Sequence, residues 1–358
     1  MQAAIVERNR WYIPHMAGWL LACTVLLSAC NDQPWNRPYP ALDAGRNILY
    51  SSFSERPNHL DPAQSYSSNE VTLTGQIYEP PLQYHYLKRP YELIALTATE
   101  IPVARYLDAA GKELPGDAPV DSIVYSYYDI HIQPGIRYQP HPAFARNEQG
   151  DLRYHGLSEE DLVDIYALGD FAETGTRELT AADYVYQIKR LAHPGLHSPI
   201  LGLMSDYIVG LGAYAKTLDA AWIQAGGAEQ NAYLDLHQYP LEGAQEIDRY
   251  TYRIKLNGKY PQLLYWLAMP FFGPVPAEAD AFYSQPGMKA RNITLDWYPV
   301  GTGPYMLTVN NPNRQMVLER NPEFRGESYP SEGEPGDEEA GLLADAGKPL
   351  PFIDRIVF

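Results

Sequence analysis

The chain has 358 residues, of which 45% are hydrophobic, and this is enough apolar material for a sizeable core and for more than one domain. Its formal net charge is −17, and clusters of Lys and Arg are few beyond the N-terminal segment. Because a protein that binds nucleic acid presents a positively charged stripe, this composition argues against nucleic acid as a partner.

The N-terminal segment is predicted to be an export signal. Arg8 and Arg10 precede an apolar stretch over residues 16–29, which ends in Leu-Ser-Ala immediately before Cys30. This order is typical of a secretory signal, and the stretch is shorter than the roughly 18 apolar residues of a membrane-spanning helix. The four residues that end at Cys30 resemble a bacterial lipobox. The resemblance implies that the signal peptide, residues 1–29, is removed and that Cys30 carries acyl chains.

Lipidation at Cys30 would place the mature protein in the periplasm of a bacterium, anchored to the cell membrane. Each buried methylene of an acyl chain contributes roughly 0.8 kcal/mol, so two or more chains hold a protein stably. The alternative is an ordinary cleaved signal in which Cys30 has no function. The other cysteine, Cys23, lies within the signal, so no internal disulfide is expected. Residues 30–46 contain several prolines and no periodicity, and they are predicted to be a tether.

The body of the chain is predicted to be a mixed α/β fold. Alternating apolar residues predict strands, and apolar residues at helical spacing predict helices. The clearest helix begins at Thr180, because Thr180 can cap the backbone N–H of Asp183 and an acidic residue is favourable in the first turn. Further strands are predicted at 47–53, 123–132, 252–256, 305–309 and 316–320, and further helices at 71–82, 205–224 and 261–268.

Three segments depart from this pattern. Residues 140–178 form an insertion, and the polar, irregular part over 140–175 is predicted to lie at the surface and outside the core. His141, within it, is predicted to be a surface or strand residue. Residues 331–348 are acidic and rich in Gly and Ala, which predicts a surface insertion. The final residues, 352–358, alternate like a strand and are expected to leave an unpaired apolar edge.

The sequence offers no catalytic centre. It has neither the Gly-x-Ser-x-Gly elbow of many hydrolases nor the phosphate-binding loop of nucleotide-binding enzymes. His193 and His197 have the spacing of two metal ligands on a helix. However, Pro194 and Gly195 would interrupt that helix, and no third ligand follows nearby. We therefore expect a protein that is not an enzyme and that uses no metal or cofactor.

Four parts of the sequence together carry a resemblance to a known family, and they occur in the family's order. They lie at 60–63 with 78–82, at 128–136 with 179–190, at 247–256, and at 300–305 with 318–322. In these segments the chain resembles the extracellular solute-binding proteins of family five, the oligopeptide- and dipeptide-binding group that serves ABC importers. The family usually has a short loop where this chain has the insertion.

The resemblance implies a two-lobed clamshell of which this chain supplies only part. Residues 47–330 would form the first lobe, and residues 331–358 would hold the acidic insertion and begin the crossover to a second lobe that is absent here. The chain is thus expected to be an N-terminal fragment that binds ligand weakly. The implied function is capture of peptides or similar small solutes for the membrane subunits of an ABC importer. The alternative is a cell-surface interaction lipoprotein without a transport role.

The resemblance also implies candidate ligand-binding residues near the cleft. Tyr78 and Glu79 would border it at the end of the predicted helix 71–82, and an anionic Glu79 could pair with an amine or a basic side chain of a peptide. Simple solvent exposure is the alternative for Glu79. Gly301, Thr302 and Gly303 form a turn in which glycine allows a ligand or another backbone to come close. A purely structural turn is the alternative there.

Overall fold

The computed structural model describes residue 43 and residues 45–228 and 233–358. The chain divides into two compact units, 1–46 and 47–358, and the fold described below is that of the second. The predicted signal peptide and Cys30 lie outside the described residues, as does most of the predicted tether. Within the described ranges, no helix is both long enough and apolar enough to cross a membrane.

The second unit is a mixed α/β body, as the sequence predicts. Its helices are α1 (Ser68–Ile77), α2 (Ala181–Arg190), α3 (Leu201–Tyr207), α4 (Leu211–Gln224), α5 (Leu263–Trp266) and α6 (Ala277–Tyr283). Its strands are β1 (Ile48–Tyr50), β2 (Leu82–Tyr84), β3 (Leu93–Ala95), β4 (Arg105–Leu107), β5 (Glu113–Leu114), β6 (Tyr125–His131), β7 (Ala244–Asp248), β8 (Thr251–Asn257), β9 (Tyr305–Asn311), β10 (Gln315–Arg320), β11 (Glu327–Ser328), β12 (Pro349–Leu350) and β13 (Arg355–Val357).

The larger sheet has five antiparallel strands in the order β5-β4-β6-β8-β7. Its centre is the pair β6–β8, in which Tyr128 lies opposite Ile254 and both side chains are buried. The alternation along β8 leaves every second side chain on the face that packs against α2. On that face the ring of Tyr252 stacks on the ring of Tyr184 from α2, with centroids 5.1 Å apart.

The second sheet has four strands in the order β1-β13-β10-β9 and corrects one prediction. The last strand, β13, pairs with β1 in parallel and with β10 in antiparallel orientation, so it lies inside the sheet. Ile356 is buried and belongs to the main core. The prediction of an unpaired apolar edge at the C-terminal strand is therefore wrong, because its partners come from both ends of the unit. Two further pairs, β2–β3 and β11–β12, are short hairpin-like ladders.

Helix α2 begins where the sequence predicts. Thr180 is its N-cap, and the carboxylate of Asp183 accepts a hydrogen bond from the Thr180 backbone N–H at 2.9 Å. The N–H of Asp183 itself donates to the backbone oxygen of Thr180 at 3.2 Å rather than to its hydroxyl. Asp183 also pairs with Arg177 just before the helix. The start of α2 is thus fixed by its own first turn and by one preceding arginine.

Two predicted helices have different bounds. The helix predicted at 71–82 ends at Ile77, and residues 82–84 form β2 instead. The two prolines at 80 and 81 prevent the helix from continuing, because proline lacks the N–H and disfavours helical backbone before it. The helix predicted at 205–224 is two helices, α3 and α4. Gly210 separates them with a φ of 78°, a left-handed conformation that breaks the helical run.

The insertion contradicts its prediction, because part of it lies in the core. Phe144, Leu162 and Phe171 are buried and belong to the main hydrophobic cluster. The ring of Phe171 packs against Phe282 of α6 with centroids 5.2 Å apart. His141 is buried as well, so it is not a surface residue, although its backbone is extended and forms an isolated antiparallel bridge with Gly175. Widely spaced apolar residues in a polar segment gave too weak a sequence pattern to show this.

The acidic segment 331–348 lies mostly at the surface in a series of turns. The short ladder β11–β12 brings its two ends together. One acidic residue in it is buried: Asp337 is 7% exposed, and its carboxylate accepts the backbone N–H of Glu334 at 2.8 Å. The segment is therefore an ordered surface element with its own internal contacts.

Candidate ligand-binding site

The five predicted ligand-binding residues lie together at the C-terminal end of α1. The backbone N–H of Gly303 donates to the oxygen of Ile77 at 2.9 Å. A Cβ atom placed on Gly301 would lie 1.8 Å from that same oxygen, and one on Gly303 would lie 2.6 Å from the oxygen of Gln76. Only glycine permits this approach of two backbones. The contacts of Gly301 and Gly303 thus favour the structural alternative for this turn.

Glu79 is buried in an ion pair, which rules out the alternative of simple solvent exposure. Its side chain is 3% exposed, and Arg325 Nη1 donates to both carboxylate oxygens at 2.7 and 2.8 Å. Burial raises the pKa of Glu79, while the charge of Arg325 and its hydrogen bonds to the carboxylate oppose the rise. We expected Glu79 to pair with an amine or a basic side chain of a peptide, but Arg325 of the chain itself makes this ion pair.

Arg325 connects this ion pair to the end of β3, and the sequence analysis missed it. Its Nη2 donates to the backbone oxygen of Leu96, which follows β3, at 3.2 Å. On the other side, the hydroxyl of Tyr184 from α2 donates to the backbone oxygen of Glu79 at 3.2 Å and lies 2.6 Å from Thr97 Oγ1. Arg325 stands in no periodic element and far from Glu79 in sequence, so no local pattern marks it.

Tyr78 lies within the core. Its side chain is 1% exposed, and its ring lies against Gly273, where an added Cβ would be 3.0 Å from the tyrosine Cβ. Burial raises the pKa of its hydroxyl well above the usual range, and the nearby Asp61 adds to that rise. Neither Tyr78 nor Glu79 therefore presents a side chain to solvent in this structure.

A second buried ion cluster fixes one of the resembling segments to α2. Arg190 is 1% exposed, and its Nη1 and Nη2 donate to the two oxygens of Asp61 at 2.9 and 2.6 Å. Arg190 Nε lies 3.4 Å from an oxygen of Asp280 in α6. A cation buried this deeply is tolerated because two carboxylates and Gln187 surround it. Like the pair formed by Glu79 and Arg325, the cluster positions elements relative to one another.

The accessible aromatic residues near this site lie on the hairpin β2–β3, and we call them the tyrosine surface. Tyr86 and Tyr91 are 72% and 80% exposed. Tyr91 packs edge-on against Tyr84 with centroids 5.8 Å apart, and Tyr86 packs edge-on against Tyr329 at the same separation. Tyr329 in turn stacks on Phe352 at 6.1 Å. The abundance of tyrosine was evident from the sequence, but no pattern in it selected these residues.

His193 and His197, whose spacing is that of two metal ligands on a helix, do not lie on the same helix. Helix α2 ends at Arg190, and His193 Nδ1 accepts the backbone N–H of Gly195 at 3.1 Å. His197 has a φ of 51°, which is left-handed backbone. Among the residues that the structure describes, no three His, Cys, Asp or Glu side chains are grouped to hold a metal ion.

Comparison with known proteins identifies the class to which this fold and site belong. The family described as "Bacterial extracellular solute-binding proteins, family 5 Middle" matches residues 174–358, which is more than half of the chain. The chain belongs to this family of solute-binding proteins. The family predicted from the four sequence segments is thereby confirmed.

Individual relatives are more distant and much longer. The chain is similar to the periplasmic oligopeptide-binding protein OppA of Salmonella typhimurium, with 28% identity over 146 residues, which cover 41% of this chain and 23% of that protein. It is also similar to the structure of Listeria monocytogenes OppA bound to peptide, with 15% identity, 79% of this chain and 40% of that chain covered, and a TM-score of 0.49. The structure of the murein tripeptide binding protein MppA of Escherichia coli is similar at 15% identity and a TM-score of 0.49. The match covers 88% of this chain and 42% of that chain. The chain thus matches less than half of the length of each.

Proposed function

We propose that this chain is part of a lipoprotein that captures peptides or similar small solutes in the periplasm and delivers them to the membrane subunits of an ABC importer. The observation that carries the proposal is the family match over residues 174–358. The similarity to an oligopeptide-binding protein supports peptides as the ligand class. The proposed activity is binding and delivery, with no catalytic step.

The contacts of the described residues support a rigid wall for a binding site. The pair between Asp61 and Arg190 fixes α2 to the segment before α1, and the pair between Glu79 and Arg325 fixes the segment after α1. The backbone hydrogen bond from Gly303 to Ile77 joins the turn at 301–303 to the end of α1. The tyrosine surface offers exposed rings that pack on one another. Tyrosine supplies large amphipathic contact area at little cost in conformational entropy, which suits contact with varied peptides.

In this proposal the described unit is one lobe, and closure of a second lobe over the peptide supplies the affinity. Hinge closure of this kind buries the ligand on both sides and excludes water. The tyrosine surface would contact the ligand. Tyr78, Glu79 and the turn at 301–303 would support the tyrosine surface from the interior of the lobe. The five predicted residues thus act as positioning residues in the proposal, since all five are buried within the chain.

The uptake of labelled peptides tests the transport role. Deleting the gene from its source bacterium should lower the uptake of radiolabelled tri- to pentapeptides, and the wild-type gene on a plasmid should restore it. A plasmid with Tyr86→Ala and Tyr91→Ala should restore less, whereas Tyr166→Ala, an equally exposed tyrosine in the insertion, should restore uptake fully. Unchanged uptake after deletion, together with reduced attachment of cells to surfaces, would instead support the interaction lipoprotein.

The lipid anchor forms a separate part of the proposal. We expect Cys30 to carry the acyl chains, because it directly follows Leu-Ser-Ala at the end of the export signal. Metabolic labelling with a radioactive fatty acid should mark the wild-type protein and Cys23→Ala, which keeps the lipobox cysteine. Cys30→Ala should remain unlabelled. Equal labelling of Cys30→Ala and the wild type would contradict the anchor without affecting the proposed peptide binding.

A further inference from the structure

Lys189, in the last turn of α2, is a buried cation without a close acidic partner among the described residues. Its side chain is 9% exposed, and its Nζ donates to the backbone oxygen of Leu236 at 3.0 Å. An ammonium group has three hydrogens to donate, so one carbonyl leaves donor capacity unused. Lys255 provides a contrast within the same unit, because its Nζ lies 2.6 Å from a carboxylate oxygen of Glu242.

The acidic group that acts on Lys189 from a greater distance is already engaged. Burial lowers the pKa of Lys189, and the charge of Asp235 opposes that fall. However, the two oxygens of Asp235 accept hydrogen bonds from the backbone N–H of His237 at 3.0 Å and from Nε2 of Gln238 at 3.3 Å. Proteins usually pair a buried charge or coordinate it, since an uncompensated one is costly. The lack of a close acidic partner within residues 45–228 and 233–358 is therefore the feature that needs an explanation.

A cavity of about 360 Å³ lies directly beside Lys189. A water molecule occupies roughly 30 Å³ in the liquid, so this space holds a ligand of several non-hydrogen atoms. The lining comes from α2, from the segment before β7 and from β7: Ala182, Val185, Tyr186, Lys189, His237, Pro240, Leu241, Ala244, Gln245 and Glu246. Among the described residues of this lining, Lys189 is the one lysine or arginine, and exposed Glu246 is the one carboxylate.

We propose that Lys189 and this cavity form a binding site for a carboxylate with a single negative charge. One ammonium group balances one carboxylate, and the carboxylate oxygens can accept the hydrogens that Leu236 leaves free. The charge of Glu246 at the rim disfavours phosphate, which carries more than one negative charge at neutral pH. Apolar side chains such as Val185 and Leu241 leave room for a short aliphatic portion of the ligand. This site is independent of the proposed peptide transport.

Thermal unfolding of the full chain in acetate tests the site. Acetate should raise the unfolding midpoint of the wild type saturably, by roughly 2 °C or more, and sodium chloride at the same ionic strength should not. Lys189→Met should abolish the acetate effect. Its midpoint in acetate-free buffer should equal or exceed that of the wild type, because an apolar replacement removes an uncompensated buried charge. Lys255→Met should keep the acetate effect.

A retained acetate effect in Lys189→Met, or its absence in the wild type, would overturn the proposal. An equal effect of phosphate at lower concentration would overturn the assignment to a singly charged carboxylate. If Lys189→Met does not fold, the wild type still provides a test. Acylation of its lysines with an activated ester, followed by peptide mass spectrometry, should be slowed by acetate at Lys189 and not at Lys255. Equal rates at Lys189 with and without acetate would likewise refute the site.

Discussion

At the scale of single residues, Glu79 is a buried carboxylate whose charge is balanced by Arg325. We expect Arg325→Met to destabilise the protein by about 3–5 kcal/mol, because it leaves Glu79 buried without its counter-charge. Urea unfolding followed by circular dichroism measures this change in the free energy of unfolding. Adding Glu79→Gln to Arg325→Met should recover part of the loss, since the unpaired charge is then gone.

The matched control for this prediction is an exposed ion pair. Arg105 and Glu113 pair at 2.7 Å with both side chains about half exposed, so Arg105→Met should change stability far less than Arg325→Met does. If Arg325→Met costs no more than this control, or if the double variant recovers nothing, Glu79 is not held by the pair in the way that we describe.

His141 predicts a pH dependence of stability. Its Nδ1 accepts the backbone N–H of Ala143 at 3.0 Å, so its Nε2 carries the proton that is donated to the Tyr283 hydroxyl at 2.7 Å. Burial lowers the pKa of His141 from 6.5 to about 3. As the pH falls below 6.5, the unfolded chain takes up a proton that the folded chain does not. The stability that is present above pH 6.5 is therefore lost progressively as the pH falls towards 3.

This linkage should remove about 1.4 kcal/mol between pH 8 and pH 5.5, one pH unit below the unfolded pKa. Urea unfolding at the two pH values measures it. His141→Asn should lose this part of the pH dependence, whereas His131→Asn, at the exposed end of β6, should keep it. An identical pH dependence in His141→Asn and the wild type would show that His141 does not titrate in this way.

At the scale of elements, the turn at 301–303 packs against the end of α1 through a backbone contact that leaves no room for a side chain at Gly301. Gly301→Ala should cost about 3 kcal/mol or more, because its Cβ would lie 1.8 Å from the oxygen of Ile77 and neither backbone can rotate away. Thermal unfolding measures the loss. Gly202→Ala is the control: it lies in α3 with open space around it, and it should stabilise the protein by about 0.5–1 kcal/mol. Similar effects of the two substitutions would contradict the contact.

At the scale of the whole unit, β13 joins segments that are far apart in sequence. Ile356→Asp should destabilise the protein by several kcal/mol, because it places a charge in the core at an inner strand of the four-stranded sheet. Val309→Asp makes the same chemical change on the edge strand β9, where the side chain is 41% exposed, and should have a much smaller effect. Urea midpoints compare the two variants, and equal midpoints would contradict the central position of β13.

Features that depend on neighbouring residues could be predicted from the sequence. Periodicity and capping predicted α2 from Thr180 and the separate strands β6 and β8, because a helix start and a strand follow from local hydrogen bonds and alternation. The family could likewise be predicted, because four short segments of the sequence resemble it and occur in the family's order. Glycines 301 and 303 could be singled out because only glycine allows so close a backbone approach.

The contacts between distant segments could be known from the tertiary structure alone. Arg325 reaches Glu79, β13 lies between β1 and β10, and the insertion places Phe144 and Phe171 in the core. None of these contacts leaves a local pattern, because burial and ion pairing depend on separation in space and not along the chain. The unpaired last strand and the surface position of the insertion were therefore predictions that failed, since each assumed that no distant segment would cover the residues.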